Sequence, residues 1–525
     1  MEPIPSFHDS HFARSPMSVQ SNRISTDRRR FLLAASALAA STMGAGPLGL
    51  ESACAAGDAG RTVMLRPTGR HDLYRVRVEL EVEGNVNVPK NPLVSRKSDM
   101  QLPITSTATM DYEERVLGED PSLVGAGRIR AAQRYYHVAK SERTLNRTQK
   151  DSQLRDSVRE TVVRRDVMPE VVYAVDDYFD RDELELLRLP ASSLGMDDLL
   201  PTTAVSTGSK YSPSSDAMLS VLGLSSVDAT EVVGEVVEIT PDQAKIQFTG
   251  NVHGSVEGVP TMIRTVGKLT FDRKLGASTW LAMAVHETRE IGKAEPGFDV
   301  SATIKMLRKP LDKPIALAAK ATTSVANGPI PEERLYVDLK SNELGLGVLM
   351  DRRWRMMTDV PGAAMMRMIE DDRSIAQCDF RPLASLPAGT QWTLEAFQED
   401  IRKTLGEQLA DLVSAEERAS ETGLRVLRVT ATGAVEGVPI QWMLMHLSDD
   451  SGRRVLATFT MEAKNSATFA GSDHQLGASL RLLERRSPKP EAVTKSTAAD
   501  RPTRIARANQ RDSNQVEVQS ASDLK

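Results

Sequence analysis

The chain has 525 residues, of which 40% are hydrophobic and 26% charged, with a mean hydropathy of −0.31. These values fit globular domains and exclude a polytopic helical membrane protein and a wholly unfolded chain. Lys plus Arg number 66 against 71 Asp plus Glu, and aromatic residues make up only 4%, which excludes a general nucleic-acid binder and a surface built on stacking platforms.

Residues 31–50, FLLAASALAASTMGAGPLGL, form the only long apolar run. A basic stretch before it and small residues after it make a secretory signal. Arg28 and Arg29, followed by Arg30, Phe31 and Leu32, resemble the twin-arginine pattern R-R-x-F-L, and the run's dilution with Ala, Gly, Ser and Thr agrees. The cut is expected between Ala55, the end of the A-x-A string at 53–55, and Ala56. Three other readings compete, one of them a longer, unrelated N-terminal tail with Met17 as the true start. A membrane anchor wants about 20 strongly apolar residues, which Gly44, Gly46, Pro47 and Gly49 dilute, and a lipidated Cys54 would want an aliphatic residue where Glu51 stands. Cleavage removes Cys54 and leaves Cys378 alone, so the mature chain forms no internal disulfide and no Cys-based zinc site.

Beyond the signal the pattern is strand-like. In HDLYRVRVELEVEG, Tyr74, Val76, Val78, Leu80 and Val82 share one face, and Arg75, Arg77, Glu79 and Glu81 the other, a period of two with one face on a core. Leu102, Ile104, Ala108 and Met110 continue the alternation. Short helices interrupt it, one after the capping box Asp180/Glu183 and one opened by Ser212-Pro213. Residues 231–307 read as a β-meander, with turns at Glu257-Gly258 and at Asp272 to Gly276. Residues 308–334 carry four prolines and little periodicity, and read as a linker. The strings GSVEGVP (254–260) and GAVEGVP (433–439) match at six of seven positions. Hairpin chemistry favours such strings without duplication.

Residues 335–484 present short strands ending in DRRWRMM, a hairpin turning at Asp371-Asp372-Arg373, and an amphipathic stretch from Leu394 to Leu412 read as one helix. Three strands follow, and then a helix with Ser472 and Gln475 as its capping box. This order of elements, with the strings RRWRMM and VLATFTMEAKNSATF, resembles the PsbP-like fold of photosystem extrinsic subunits, Ran-release factors of the Mog type and small bacterial lipoproteins. The resemblance implies a binding and assembly scaffold without a shared catalytic centre. The expected fold class is therefore α+β: a β-rich domain with a curved antiparallel sheet (56–307), a linker (308–334), a PsbP-like α/β/α sandwich with an antiparallel sheet (335–484), and a flexible tail (485–525) whose nine basic and five acidic residues accompany few large apolar ones.

Chemistry-bearing motifs are sparse. GAGPLG at 44–49 lies inside the signal, without the strand and helix of a dinucleotide fingerprint. His286 in HETRE lacks the second histidine of a zinc helix. The acidic run Asp176, Asp177, Asp180, Asp182 and Glu183 is the best oxygen-ligand candidate, with Asp176, Asp180 and Asp182 as its weak metal ligands, although attraction of acids to a helix N-terminus explains it more simply. Cys378 with His446 or His474 would be a thiol–imidazole pair, but Cys378 falls on the core side of a strand. No catalytic residue and no cofactor is assigned. The sequence reading is a non-enzymatic binding or assembly protein of the periplasm or cell envelope, its partner another envelope protein or an apolar small molecule. Nucleic acid is excluded, and the membrane is touched only through an uncleaved signal. Two alternatives stand: a carrier of an apolar molecule in a cavity lined by Tyr74, Val76, Val78, Leu80 and Met110, and an exported hydrolase whose groups converge only in space.

Overall fold

The computed structural model describes residues 62–68, 70–89, 100–120, 122–123, 127–188, 190–293, 295–317, 328–387 and 389–484. The signal residues Arg28, Arg29, Phe31 and Leu32, the cleavage pair Ala55 and Ala56, and the tail beyond residue 484 lie outside the described residues.

Long alternating segments become long strands. The first sheet contains β1 (Leu73–Val88), β2 (Met100–Glu119), β3 (Ile129–Leu145), β4 (Thr148–Gln153), β5 (Glu160–Arg164), β6 (Val171–Ala174), β7 (Lys210–Tyr211), β8 (Ser226–Thr230), β9 (Val233–Ile239), β10 (Gln243–Val256), β11 (Val259–Asp272), β12 (Ala277–Arg289) and β13 (Gly297–Pro310). Its strand order is β6-β5-β3-β2-β1-β13-β12-β11-β10-β9-β7, with β4 also on β3 and β8 also on β10. The meander β9–β13 is built from consecutive neighbours. It joins the amino-terminal strands through β1 against β13, where Glu79 stands opposite Lys305 and Gly84 opposite Val300. Gly84 has φ +146°, and a Cβ there would lie 2.4 Å from the Asp299 carbonyl oxygen, so this crossing requires glycine.

Helix α1 (Arg181–Leu187), a 3-10 turn (Ser193–Leu199) and α2 (Ser215–Leu222) cover the inward face. The capping box of Asp180 and Glu183 starts α1. At α2 the cap is Ser214, one residue beyond Pro213. Tyr74, Val76, Val78, Leu80 and Met110 are buried in one core with Leu184, Leu194, Met196, Met218 and Val221. The helical cover therefore fills the space that a carried ligand would need. The opening left between the sheet and α1, beside Leu80, Ala108 and Leu186, is about 20 Å³, about the size of one water molecule.

The second half contains β14 (Tyr336–Ser341), β15 (Leu346–Asp351), β16 (Trp354–Val360), β17 (Ala363–Glu370), β18 (Arg373–Leu383), α3 (Leu394–Leu405), β19 (Leu409–Ala419), β20 (Arg425–Val435), β21 (Val438–Ser448), β22 (Arg454–Glu462), α4 (Ser466–Phe469), α5 (Ser472–Ser479) and β23 (Arg481–Leu482). Seven strands run β16-β17-β18-β22-β21-β20-β19, and β14-β15-β23 form a separate small sheet. The expected α/β/α sandwich and PsbP-like likeness are corrected here. One face carries the single helix α3, packed through Phe397 and Ile401 on Leu427, Val429 and Leu444. The other face packs Trp354, Phe459 and Met443 with the small sheet and the short α4 and α5. The chain is nearly all sheet, without two helical layers. The amphipathic stretch also splits, because the backbone breaks at Gly406 and Leu409–Ala419 pairs with β20 as an edge strand. Ser472 is the first helical residue of α5, its hydroxyl turned back to the Phe469 carbonyl, so the expected capping box there is absent.

The two-domain organisation is corrected as well, since the described residues fall in one compact unit. The halves interlock by their hairpin tips. Gly258, at φ +84°, backs directly on Asp371, leaving no room for a Cβ. The Asp372 carboxylate accepts the Lys293 amide at 2.6 Å, Arg355 bridges Glu257 and Glu295, and the Asp338 amide donates to the Phe179 carbonyl at 2.9 Å. Residues 311–317, the first described part of the expected linker beyond β13, are docked too. The amides of Ile315, Ala316 and Leu317 all point at the buried Glu113 carboxylate, the nearest at 2.8 Å.

Candidate functional site

Two polar regions stand apart from ordinary core, one sealed beneath the first sheet and one open on its outward face. In the sealed region the Ser193 hydroxyl donates to Glu114 at 2.6 Å and accepts from Tyr112 at 2.9 Å and Arg134 at 3.1 Å. Arg308 reaches the Ser278 and Ser193 carbonyls and the Asp197 carboxylate, the last at 2.6 Å, and stacks over the Tyr74 ring. Arg165 bonds Asp198 at 2.7 Å and the Ser220 hydroxyl at 3.0 Å. Burial pushes the Asp197 carboxyl up, but the Arg308 guanidinium and the Ser278 donors outweigh it and hold it below the usual range. Ser193, Glu114, Arg134 and Arg308 are all buried. A hydroxyl so enclosed, with both its lone pairs and its proton engaged, is placed to fix the 3-10 turn on the sheet and not to attack a substrate.

The open region lies on the opposite face. The alternation that buries Val78, Leu80, Val82 and Ile304 turns Glu79, Glu81, Glu83 and Lys305 to water. The register sets them in rows across the sheet, with Thr107, Glu81 and Thr303 in one row and Thr105, Glu83 and Ser301 in the next. These rows, with Glu142 and Thr144 from β3 and Gln149 from β4, line an open concavity of about 500 Å³. Hydroxyls and carboxylates together accept and donate hydrogen bonds and attract positive charge. Further along the same face Met262, Val266, Trp280 and Leu307 stand exposed. Alternation marks the strands in the sequence but does not show which of them become neighbours, so the groove itself was not legible there.

The residues singled out in the sequence do not meet. Asp180 caps α1 by accepting the Glu183 amide at 2.9 Å, Asp182 pairs with Lys150 at 2.6 Å, Asp177 accepts from Ser157, and Glu183 takes the fork of Arg155. Asp176 lies near Glu160, whose carboxyl is pushed up by burial and then by Asp176. Among the described residues no three His, Cys, Asp or Glu side chains converge as a metal set. Cys378 is sealed in the core with Phe459 and Met366, and burial drives its thiol well up. His446 points to the other face, against Trp392 and Phe397, while His474 contacts Arg418. His286 sits on the outward face beside Ser301 and Asp299.

No family model and no curated protein matches this chain. Solved structures similar to it include a BenF-like porin from Pseudomonas fluorescens (7% identity, covering 74% of this chain and 97% of the porin, TM-score 0.10). The translocator domain of the autotransporter NalP from Neisseria meningitidis matches at 6% identity over 74% and 86%, with TM-score 0.10. OprB from Pseudomonas putida matches at 11% over 74% and 92%, again at 0.10. None of these is PsbP-like, and scores this low do not reach a shared fold. A membrane-spanning barrel closes its sheet and turns an apolar band to lipid. Here the path of paired strands runs from β6 to β7 as an open sheet, with charges at alternate outward positions of β1.

Proposed function

We propose that this is an exported, non-enzymatic binding or assembly protein of the cell envelope, working through the outward face of the first sheet. The observation that carries the reading is that face itself: eight strands wide from β10 through β13 and β1 to β4, crossed among the described residues by 315–317 at Glu113, and hollowed where Glu81, Glu83 and Glu142 stand among threonines and serines. Its mixture of hydroxyls, charges and isolated apolar side chains suits a polypeptide partner, as protein interfaces combine apolar contacts with a polar rim. The buried charges have a separate task, fixing the helical cover to the sheet. Export rests on the signal-like residues 28–56 and sets the envelope as the place of action.

The test is site-specific photo-crosslinking in cells that export the protein. A photoreactive side chain replaces Thr303 on the outward face, with Ser451, in the β21–β22 turn of the second sheet, as the control position. The reading predicts a discrete protein adduct from position 303 and none from 451. Absence of any adduct at 303 contradicts it.

A further inference from the structure

The seven-stranded sheet carries a separate apolar core on each face. Trp354, Cys378, Met443 and Phe459 belong to the larger one, and Leu427, Val429, Trp442 and Leu444 to a small one beneath α3. Of its 12 residues α3 buries only Phe397 and Ile401, and Trp392 extends this cover before the first turn of the helix. Loss of the cover leaves the larger core in place, which is the condition for a local opening. His446 lies at the margin of the small core. It stands opposite Leu427 on β20 and Leu456 on β22, with the Trp392 ring 5.2 Å away and the Phe397 ring at 6.1 Å. The next row, at Ser448, is flanked by Arg425 and Arg454. Both arginines are tied to the cover, since Arg425 donates to the Trp392 carbonyl and Arg454 stacks over the Trp392 ring.

We propose that Trp392 and α3 form an acid-released cover, with His446 as its trigger. The device belongs to the second sheet and is separate from the binding face of the first. A neutral imidazole is tolerated beneath the two aromatic rings, although neither of its nitrogens has a hydrogen-bond partner. A proton on that ring makes a third cation beside Arg425 and Arg454, the only charges acting on it among the described residues. The cover meets it with aromatic rings, and Glu417 of β19 is taken by the fork of Arg425. Arg425 also holds the Glu417 carboxyl below its ordinary value, so the acid stays ionised and paired. An unpaired buried charge is far costlier than an exposed one, and lifting Trp392 brings the ring to water. The covered ring titrates at about 4 against 6.5 for an exposed one, so the open form takes up a proton that the closed form refuses. Opening therefore strengthens as pH falls through this window, and its equilibrium constant rises about 60-fold between pH 7 and pH 4.5.

Hydrogen exchange of the full chain at graded pH, corrected for intrinsic rates, tests this in the parent, His446→Phe and His446→Leu. In the parent, amides 399–405 of α3 should exchange at least tenfold faster than amides 376–380 of β18 and 457–461 of β22 at every pH. Their protection should fall about 60-fold from pH 7 to pH 4.5, and less than fivefold in each apolar variant. Exchange of α3 in step with the core strands overturns the proposal, because the cover then opens only when the whole fold does. An equally steep fall in a folded variant overturns it too. The parent supplies a further check through the imidazole resonances. A His446 ring that gains its proton near pH 6.5 while α3 stays protected contradicts the trigger, whereas a ring that stays neutral until α3 loses protection supports it.

Discussion

Arg308 and Asp197 form an ion pair of 2.6 Å beneath the sheet, at the point where β13 passes under the 3-10 turn. Both side chains are almost wholly removed from water. The guanidinium also holds two carbonyls and covers the ring of Tyr74, and the carboxylate takes the Ser278 amide at 2.8 Å. The pair clamps turn, strand and first aromatic layer together. A buried pair adds little over a hydrophobic isostere, but removing one partner leaves an uncompensated charge. Asp197→Ala is therefore expected to lower unfolding stability by about 3–5 kcal/mol, measured by urea denaturation, whereas Asp197→Leu/Arg308→Met recovers most of that loss. A single variant as stable as the parent would remove the clamp from the account.

Glu113 ties the segment after β13 to the sheet. Its carboxyl is pushed up by burial, but the amides of Ile315, Ala316 and Leu317 and the ring of His137 draw it below its ordinary value. A carboxyl depressed in the folded state contributes stability that is present above its unfolded pKa and is lost as pH falls through the folded one. Glu113→Gln is expected to speed amide exchange at 315–317 by about tenfold, as for a loss near 1.4 kcal/mol. Exchange elsewhere in the first sheet should not change. In the parent the same amides should lose protection as pH drops below about 4.5.

His446 is a polar group without a polar setting. It is fully buried, and neither ring nitrogen has a hydrogen-bond partner. Burial first, and then the nearby Arg454 and Arg425, lower its pKa from 6.5 to about 4. Between those values the unfolded chain binds a proton that the folded one refuses, so stability rises with pH across this window. The span amounts to about 3 kcal/mol. His446→Phe should flatten the pH dependence of the melting temperature between pH 4.5 and 6.5. A variant with an unchanged slope would show that the effect arises elsewhere.

Cys378 is expected to resist thiol reagents in the native protein. Its side chain is enclosed, and burial, then Asp379 and Asp473, raise its pKa, so the reactive thiolate is scarce. Labelling should proceed only at the rate of unfolding and reach one equivalent in urea, provided residues 1–55 have been removed. Rapid labelling of the folded, processed chain would contradict this.

Much of the first sheet was legible in the alternation. Tyr74 to Val82 point inward and Arg75 to Glu81 outward as the pattern required, and both EG strings became hairpin turns with positive φ at Glu257, Gly258, Glu436 and Gly437. Period two does not reveal which strands pair across long sequence distance, so the union of β1 with β13 stayed hidden, and with it the groove. Apolar character alone does not place a side chain either, since Met262 and Trp280 follow the alternation to the outside. The buried clamp did leave a signal. In GFDVSATIKMLRKP the inward parity runs Phe298, Val300, Ala302, Ile304, Met306 and then Arg308, and a charge on a core parity must find a partner. In the second half the leucine stripe from Leu394 to Leu412 suited a helix equally well. The break at Gly406 and the pairing with β20 decided otherwise, an instance of tertiary pairing overriding local preference.

The most direct measurement is mass spectrometry of the protein recovered from its own cell envelope, native and then denatured. The account predicts a denatured chain beginning at Ala56 and a native species heavier than one such chain. A denatured mass equal to all 525 residues, together with a bare native monomer, would contradict both export with processing and assembly through the outward face.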